Sequence, residues 1–449
     1  MAGIIPNIPN TGNKIPGINY TAAVTESFPN VNKTRNIESS INSREKVDFM
    51  PVNMGVNQVL TDKYVEFRIN GIVGSFIDLG SLILELAVKP TKPDLSNLDD
   101  DTNITVPNGL SNTLFKSVAV YLNEKVVENN SMFNVTSYLK QLKTLQPQVL
   151  DTLGKCGAFY DDINGSTGVT NNYIANKFTD DTLERKRMSS IKSDGIYTYF
   201  PLLLDISTID MYLLDGVDIR IRLELASNDF ILKSDTAIGA TLQVKKIKLW
   251  VDRVTPQTNA LLAFNKVLSL RDVNYIYTNT LSKTYIVGSN ENSIMIDQPF
   301  GTCIPEKLTM VFIDMNAFSG RGNQNGLYFD HCHLSNTHIT VNGNTVYNIN
   351  TDFPHDYAHS YYETQKALGL DSTNLISHDS YSKGRSIFCF NFLSERVEES
   401  LPVEVSASLR INLKFAQNIP SPRVILLLAD TTGILNINYN RTITCDVRG

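Results

Sequence analysis

The sequence predicts an all-β fold of two antiparallel sandwiches in tandem, on three observations. Strictly alternating apolar and polar segments recur along the chain while helical periodicity is scarce. An order of elements (hairpin, helix, strand, strand) occurs twice. At 449 residues the chain exceeds a single core, since domains run to roughly 100–200 residues.

Residues 1–49 are rich in Asn, Pro, Ser and Thr with scattered apolar residues (Ile4, Ile5, Ile8, Ile15, Ile18, Phe28), and read as an extended N-terminal arm. Residues 64–69, 118–122 and 217–225 then alternate, as do 82–88 in part and 244–251 in their second half. Alternation marks a strand with one buried and one wet face. It places Ile219, Ile221, Leu223 and Leu225 inward and Asp218, Arg220, Arg222 and Glu224 on a mixed-charge outer face. Helical spacing appears at 135–145 and at 357–368, the latter with Asp356 as an N-cap.

The repeat joins these elements. Residues 219–228 align with 409–418, apolar positions matching and Arg, Ile, Leu, Ala and Asn recurring. Residues 118–127 align with 337–346, whose Asn342-Gly343 is a strong two-residue hairpin signal because both positions accept positive φ. A candidate helix follows each hairpin. An aromatic-aliphatic strand (197–204, 387–393) and the alternating strand come next. The expected sandwiches are 50–254 and 255–449, joined near Val254-Thr255-Pro256-Gln257-Thr258, with a first-half insertion at about 146–196.

Met211-Tyr212-Leu213-Leu214-Asp215-Gly216-Val217-Asp218-Ile219-Arg220-Ile221-Arg222-Leu223 closely resembles a signature of the major capsid proteins of Maverick/Polinton-type elements and adintoviruses. Further matches follow in the same order around 75–79, 114–123, 304–308, 314–320 and 409–416, so the resemblance covers roughly residues 50–445. It implies a double jelly roll, two eight-stranded sandwiches each with a short helix and long loops, of the adenovirus-hexon lineage. It further implies a homotrimeric, pseudo-hexagonal capsomer in an icosahedral shell around a DNA genome. The expected location is the virion, after synthesis in the host cytoplasm and assembly in cytoplasm or nucleus. The implied partners are other copies of the chain, penton and minor capsid proteins.

Composition sets limits on other functions. Charged residues make up 19% against a typical share of about 25%, and the net charge is −6, which disfavours nucleic-acid binding driven by counterion release. Arg185-Lys186-Arg187 and Lys245-Lys246 read as solvated surface. The five scattered cysteines (Cys156, Cys303, Cys332, Cys389, Cys445) form no CxxC pair and point to free thiols in a reducing compartment. No apolar run reaches the ~18 residues of a membrane span, and no secretory signal opens the sequence.

The search for catalytic or metal chemistry gives weak candidates. All six histidines lie between 331 and 378. His331-Cys332-His333 would place two imidazoles on one strand face, and His355 and His359 have i, i+4 spacing, but HExxH is absent and Pro354 sets His355 before the helix. Residues 320–326 are glycine-rich without a phosphate-binding pattern. Asp99-Asp100-Asp101 lacks calcium-loop spacing, and Tyr160-Asp161-Asp162 lacks supporting carboxylates. No nucleophile elbow occurs, and Asn134-Val135-Thr136 carries no weight as a glycosylation site without secretion. The expectation is a structural protein with no catalytic, cofactor or metal residues. The alternatives are a carbohydrate-active enzyme, which requires paired carboxylates in a cleft, and a lectin-like module.

Overall fold

The computed structural model describes residues 40–55, 60, 62–98, 104–160, 195–234, 239–320, 324–369, 373–393 and 407–447. The first half contains β1 (Ile41–Phe49), β2 (Tyr64–Ile69), β3 (Phe76–Thr91), β4 (Ile104–Thr105) and β5 (Phe115–Leu122). It continues with β6 (Lys125–Asn130), β7 (Ile196–Pro201), β8 (Ile219–Leu225), β9 (Lys233–Ser234) and β10 (Thr241–Pro256). The second contains β11 (Val273–Val287), β12 (Ser293–Asp297), β13 (Lys307–Asp314), β14 (Leu334–Val341), β15 (Asn344–Asn350), β16 (Phe388–Asn391), β17 (Leu409–Phe415), β18 (Arg423–Ile437) and β19 (Ile443–Val447).

Each half is a pair of antiparallel four-stranded sheets. The first half pairs β1-β10-β3-β7 and β2-β8-β5-β6; the second pairs β11-β18-β13-β16 and β12-β17-β14-β15. Setting aside the two-stranded β4-β9 ribbon and β19, which adds to β18, and ranking strands by order of appearance, both halves read 1-8-3-6 and 2-7-4-5. This is the jelly-roll order, twice, so the fold is a double jelly roll. The aligned residues are equivalent in three dimensions. Ile221 sits between Phe67 and Val120, and Ile411 between Ile296 and Ile339; all six are buried. The outward partners Arg222 and Glu224 are exposed. Asn342 and Gly343 turn their hairpin with φ of 51° and 80°, and Asn123 and Glu124 turn the other with 43° and 67°.

Several sequence expectations change in detail. Ile41–Phe49, read as the end of an arm, is strand β1, paired along its length with β10. It is an edge strand with mostly exposed side chains, so it carries no apolar period. The slipped alternation at 244–251 is a β-bulge: Lys245 is the extra residue between Val244 and Lys246 in the pairing with β3. The helices span Phe133–Thr144 and Ala358–Leu368. Tyr357, not Asp356, occupies the N-cap position of the second, without a side-chain capping bond, and Asp356 is held in the preceding turn by mutual backbone hydrogen bonds with Asp352. A helix the sequence did not announce, Thr258–Leu268, links the halves and lays Phe264 edge-on against Phe76 at 5.5 Å.

Ile221→Asp and Ile411→Asp are each expected to abolish recovery of soluble folded protein, since each buries an unpaired carboxylate in an apolar layer. Arg222→Gln, on the outer face, should change stability by no more than about 0.5 kcal/mol in urea melts. Comparable losses at Ile221 and Ile411 check the equivalence of the two halves.

Candidate functional site at the seam between the sandwiches

The two jelly rolls join through a buried polar seam. The first half contributes the helix Phe133–Thr144, β6 and the segment 203–215; the second contributes β11, β18 and the outer face of β13. Asp205, 1% exposed, pairs with Lys140 Nζ at 2.5 Å and accepts the Thr280 amide at 2.7 Å. The Thr280 hydroxyl lies 3.1 Å from Asp205 and 3.2 Å from Asp430. The Thr278 amide donates to Thr208 Oγ1 at 3.0 Å, so the edge of β11 is capped by side chains of the other sandwich. Lys143 Nζ donates to Thr309 Oγ1 at 2.9 Å, and Tyr277 donates to the Val127 carbonyl at 3.0 Å. A cavity of about 270 Å³ remains between the halves, lined by Thr136, Lys140, Lys143, Asp205, Thr280 and Asp430 among others.

Glu128 adds a second buried carboxyl group. It is 2% exposed, its Oε2 accepts the amides of Asp205 and Ile206 at 2.8 and 3.2 Å, and its Oε1 has no hydrogen-bond partner. Burial, reinforced by the neighbouring Asp205 carboxylate, pushes its pKa up to about 8. Burial opposes the charge on Lys140, but Asp205 and Glu128 outweigh it and raise the Lys140 pKa.

The motif at 211–223 lies on this seam. Tyr275 donates to the Tyr212 carbonyl and accepts the Leu214 amide at 2.9 Å. Asp215 accepts Arg441 Nη2 at 2.5 Å and the Gly74 amide at 2.7 Å, while Asn123 donates to the Arg441 carbonyl. Gly216 takes φ of +72°, which a side chain would resist. The ends of the glycine-rich stretch have a packing role here. A Cβ on Gly320 would lie 3.0 Å from Ser227 Oγ, and one on Gly326 would lie 2.8 Å from the Phe230 ring. The close approach of the halves therefore requires glycine.

The metal candidates do not assemble. Cys332 and His333 have φ near +50°, so 331–333 is a turn before β14, not a strand with two imidazoles on one face. His331 stacks on Phe353 at 4.7 Å and accepts the His333 amide on Nδ1 at 3.0 Å; burial lowers its pKa. His355 precedes the helix, and His359 lies 4.0 Å from Glu363. Among the described residues no three His, Cys, Asp or Glu side chains group as a metal set. The five cysteines are unpaired, and no described helix is long and apolar enough to cross a membrane. Asp99-Asp100-Asp101, Asp161-Asp162 and Arg185-Lys186-Arg187 fall outside the described residues.

No family model and no curated protein matches the chain. Solved structures do. A chain in the cryo-electron microscopy structure of the Sputnik virophage matches with TM-score 0.62 at 12% identity, over 97% of this chain and 94% of that one. The mavirus major capsid protein matches at 0.53 and 9%, over 97% and 96%. The Faustovirus major capsid protein matches at 0.55 and 8%, over 91% and 92%. At these identities the likeness establishes the double jelly-roll fold.

The seam predicts a pH dependence. Because the folded pKa of Glu128 lies above its ordinary value, its stabilising contribution is full in acid and is lost as pH rises through about 8. Urea midpoints should fall between about pH 4.5 and 8. Glu128→Gln should flatten that fall, by an amount on the order of a few kcal/mol.

Proposed function

We propose that the chain is a structural major capsid protein, a homotrimeric pseudo-hexagonal capsomer that tiles an icosahedral shell around a DNA genome. The observation that carries this reading is the fold match over nearly the whole of both chains, this one and capsid proteins such as that of mavirus. Matching sandwiches joined at a fixed seam also suit the role. Three such chains place six similar sandwiches about one axis, and closed symmetry reuses the same surfaces. Residues 50–254 and 255–449, with β1 added to the first, are the proposed domains. The segment before β1 is the proposed arm. The Maverick/Polinton and adintovirus lineage is supported by the motif at 211–223, whose Tyr212, Leu214 and Asp215 build the seam.

In this reading the chain acts by assembly, not catalysis. It resides in the virion after synthesis in the host cell, and its partners are copies of itself together with penton and minor capsid proteins.

Light scattering after size exclusion should give three times the chain mass at micromolar concentration, and negative-stain images should show rings or shell fragments. A stable monomer, or a small oligomer with saturable glycan binding, would instead support a carbohydrate-active or lectin-like role.

A further inference from the structure

The seam inside the chain is heterologous: unlike surfaces of the two halves meet. The first half presents the helix between its fifth and sixth strands, through Lys140 and Lys143; the second presents the outer face of sheet β11-β18-β13-β16, through Thr280, Asp430 and Thr309. Because both halves share one topology, each also carries the counterpart of the other's surface. The first half has an outer face on sheet β1-β10-β3-β7. The second has the helix Ala358–Leu368 between its own fifth and sixth strands.

Strand register, anchored by the matching bonds from the Leu202 amide to the Leu82 carbonyl and from the Phe392 amide to the Glu306 carbonyl, gives the equivalent positions. Lys307 lies between Asn391 and Asp430, as Ile83 lies between Pro201 and Trp250. Trp250 therefore occupies the position of Asp430, Asp48 that of Thr280, Glu85 that of Thr309 and Tyr199 that of Cys389. In the second half these positions lie buried or partly buried in or beside the seam, whereas in the first they form an open aromatic face. Tyr197 is 69% and Tyr199 41% exposed, Tyr199 meets Trp250 edge-on at 6.4 Å, and Trp250 donates to Glu85 at 2.9 Å. Trp250 is the only tryptophan in the chain. A cavity of about 240 Å³ lies over this face, lined by Glu85, Ala87, Tyr197, Tyr199 and Lys246 among others. The counterpart helix buries Ser360, Thr364 and Ala367 against its own half and leaves His359, Tyr362 and Lys366 outward, Tyr362 being 53% exposed.

We propose that the helix Ala358–Leu368 of one copy docks on the outer face of sheet β1-β10-β3-β7 of a second copy, repeating between chains the seam that exists within each. The inference rests on the trimeric reading above and names its contact surfaces. Each chain offers one such helix and one such face, the condition for a head-to-tail ring. The substitution of aromatic residues for the small polar ones of the internal seam fits the role. Association of separate chains must overcome lost translational and rotational freedom, and tyrosine and tryptophan anchors are the residues that do so at interfaces.

The test uses the full chain in a Cys156→Ser background, which removes the exposed thiol beside the acceptor face. Chains carrying Tyr197→Cys and chains carrying Tyr362→Cys are co-expressed and treated with a short bismaleimide. The expected result is a cross-linked peptide pair joining residue 197 of one chain to residue 362 of another. A light-scattering trimer that gives only like-with-like links, or none beyond the background, overturns the assigned surfaces while leaving the capsomer reading standing. A monomer overturns both. Independently, Tyr197→Arg, at a position exposed enough to spare the fold, should weaken association at least about tenfold while the dissociated chain keeps the wild-type circular dichroism spectrum. Unchanged association would contradict the proposal.

Discussion

Charge taken out of water must be paired, and that requirement fixes how the two sandwiches sit. Asp205 is withdrawn from solvent, paired with the half-buried Lys140, and the amide and hydroxyl that complete its coordination belong to Thr280 in the other jelly roll. Removing one partner from such a set strands the others, which typically costs several kcal/mol, so the arrangement tolerates little sliding. Asp215 and Arg441 pin a second point of the same junction. Apolar packing is continuous across both halves, but it is non-directional; the polar contacts select the geometry.

What was legible in the sequence is what depends on near neighbours. Strand β8 announced itself because Ile219, Ile221 and Leu223 alternate with charged residues, and the second hairpin because Asn342-Gly343 accepts positive φ at both positions. The repeat was readable because equivalent layers, such as those around Ile221 and Ile411, demand the same residue types. The edge strand β1 was not readable, since an edge with exposed side chains needs no apolar pattern. Nor was the linking helix Thr258–Leu268, whose Leu262 and Val267 face solvent and blur its period. The seam was illegible for another reason: its residues converge from positions such as 128, 140, 205, 280 and 430, and no local spacing connects them. The motif at 211–223, read in the sequence only as a family resemblance, lies on the seam through Tyr212, Leu214 and Asp215. His331 and His333 misled because period-two reading presumes extended backbone, which Cys332 and His333 do not adopt.

The fold alone does not assign a role, since tandem sandwiches serve binding and catalysis as well as containment. The distinction here lies in where the chemistry sits. Asp205 is engaged in holding the two domains together through Thr280, with Lys140 as its ion-pair partner, and Glu128 braces the backbone at 205–206 within the first half. The exposed surface carries aromatic side chains and cross-strand pairs such as Lys248 with Asp48, a composition suited to contact with another protein surface.

In the proposed capsomer, one junction geometry, built once inside the chain, sets the spacing of every sandwich. Cryo-electron microscopy of the purified protein measures this directly. Six lobes around a threefold axis are expected, with nearly the same lobe-to-lobe rotation within and between chains. Two lobes that move independently in each molecule, or a ring built from a number of chains other than three, would contradict it.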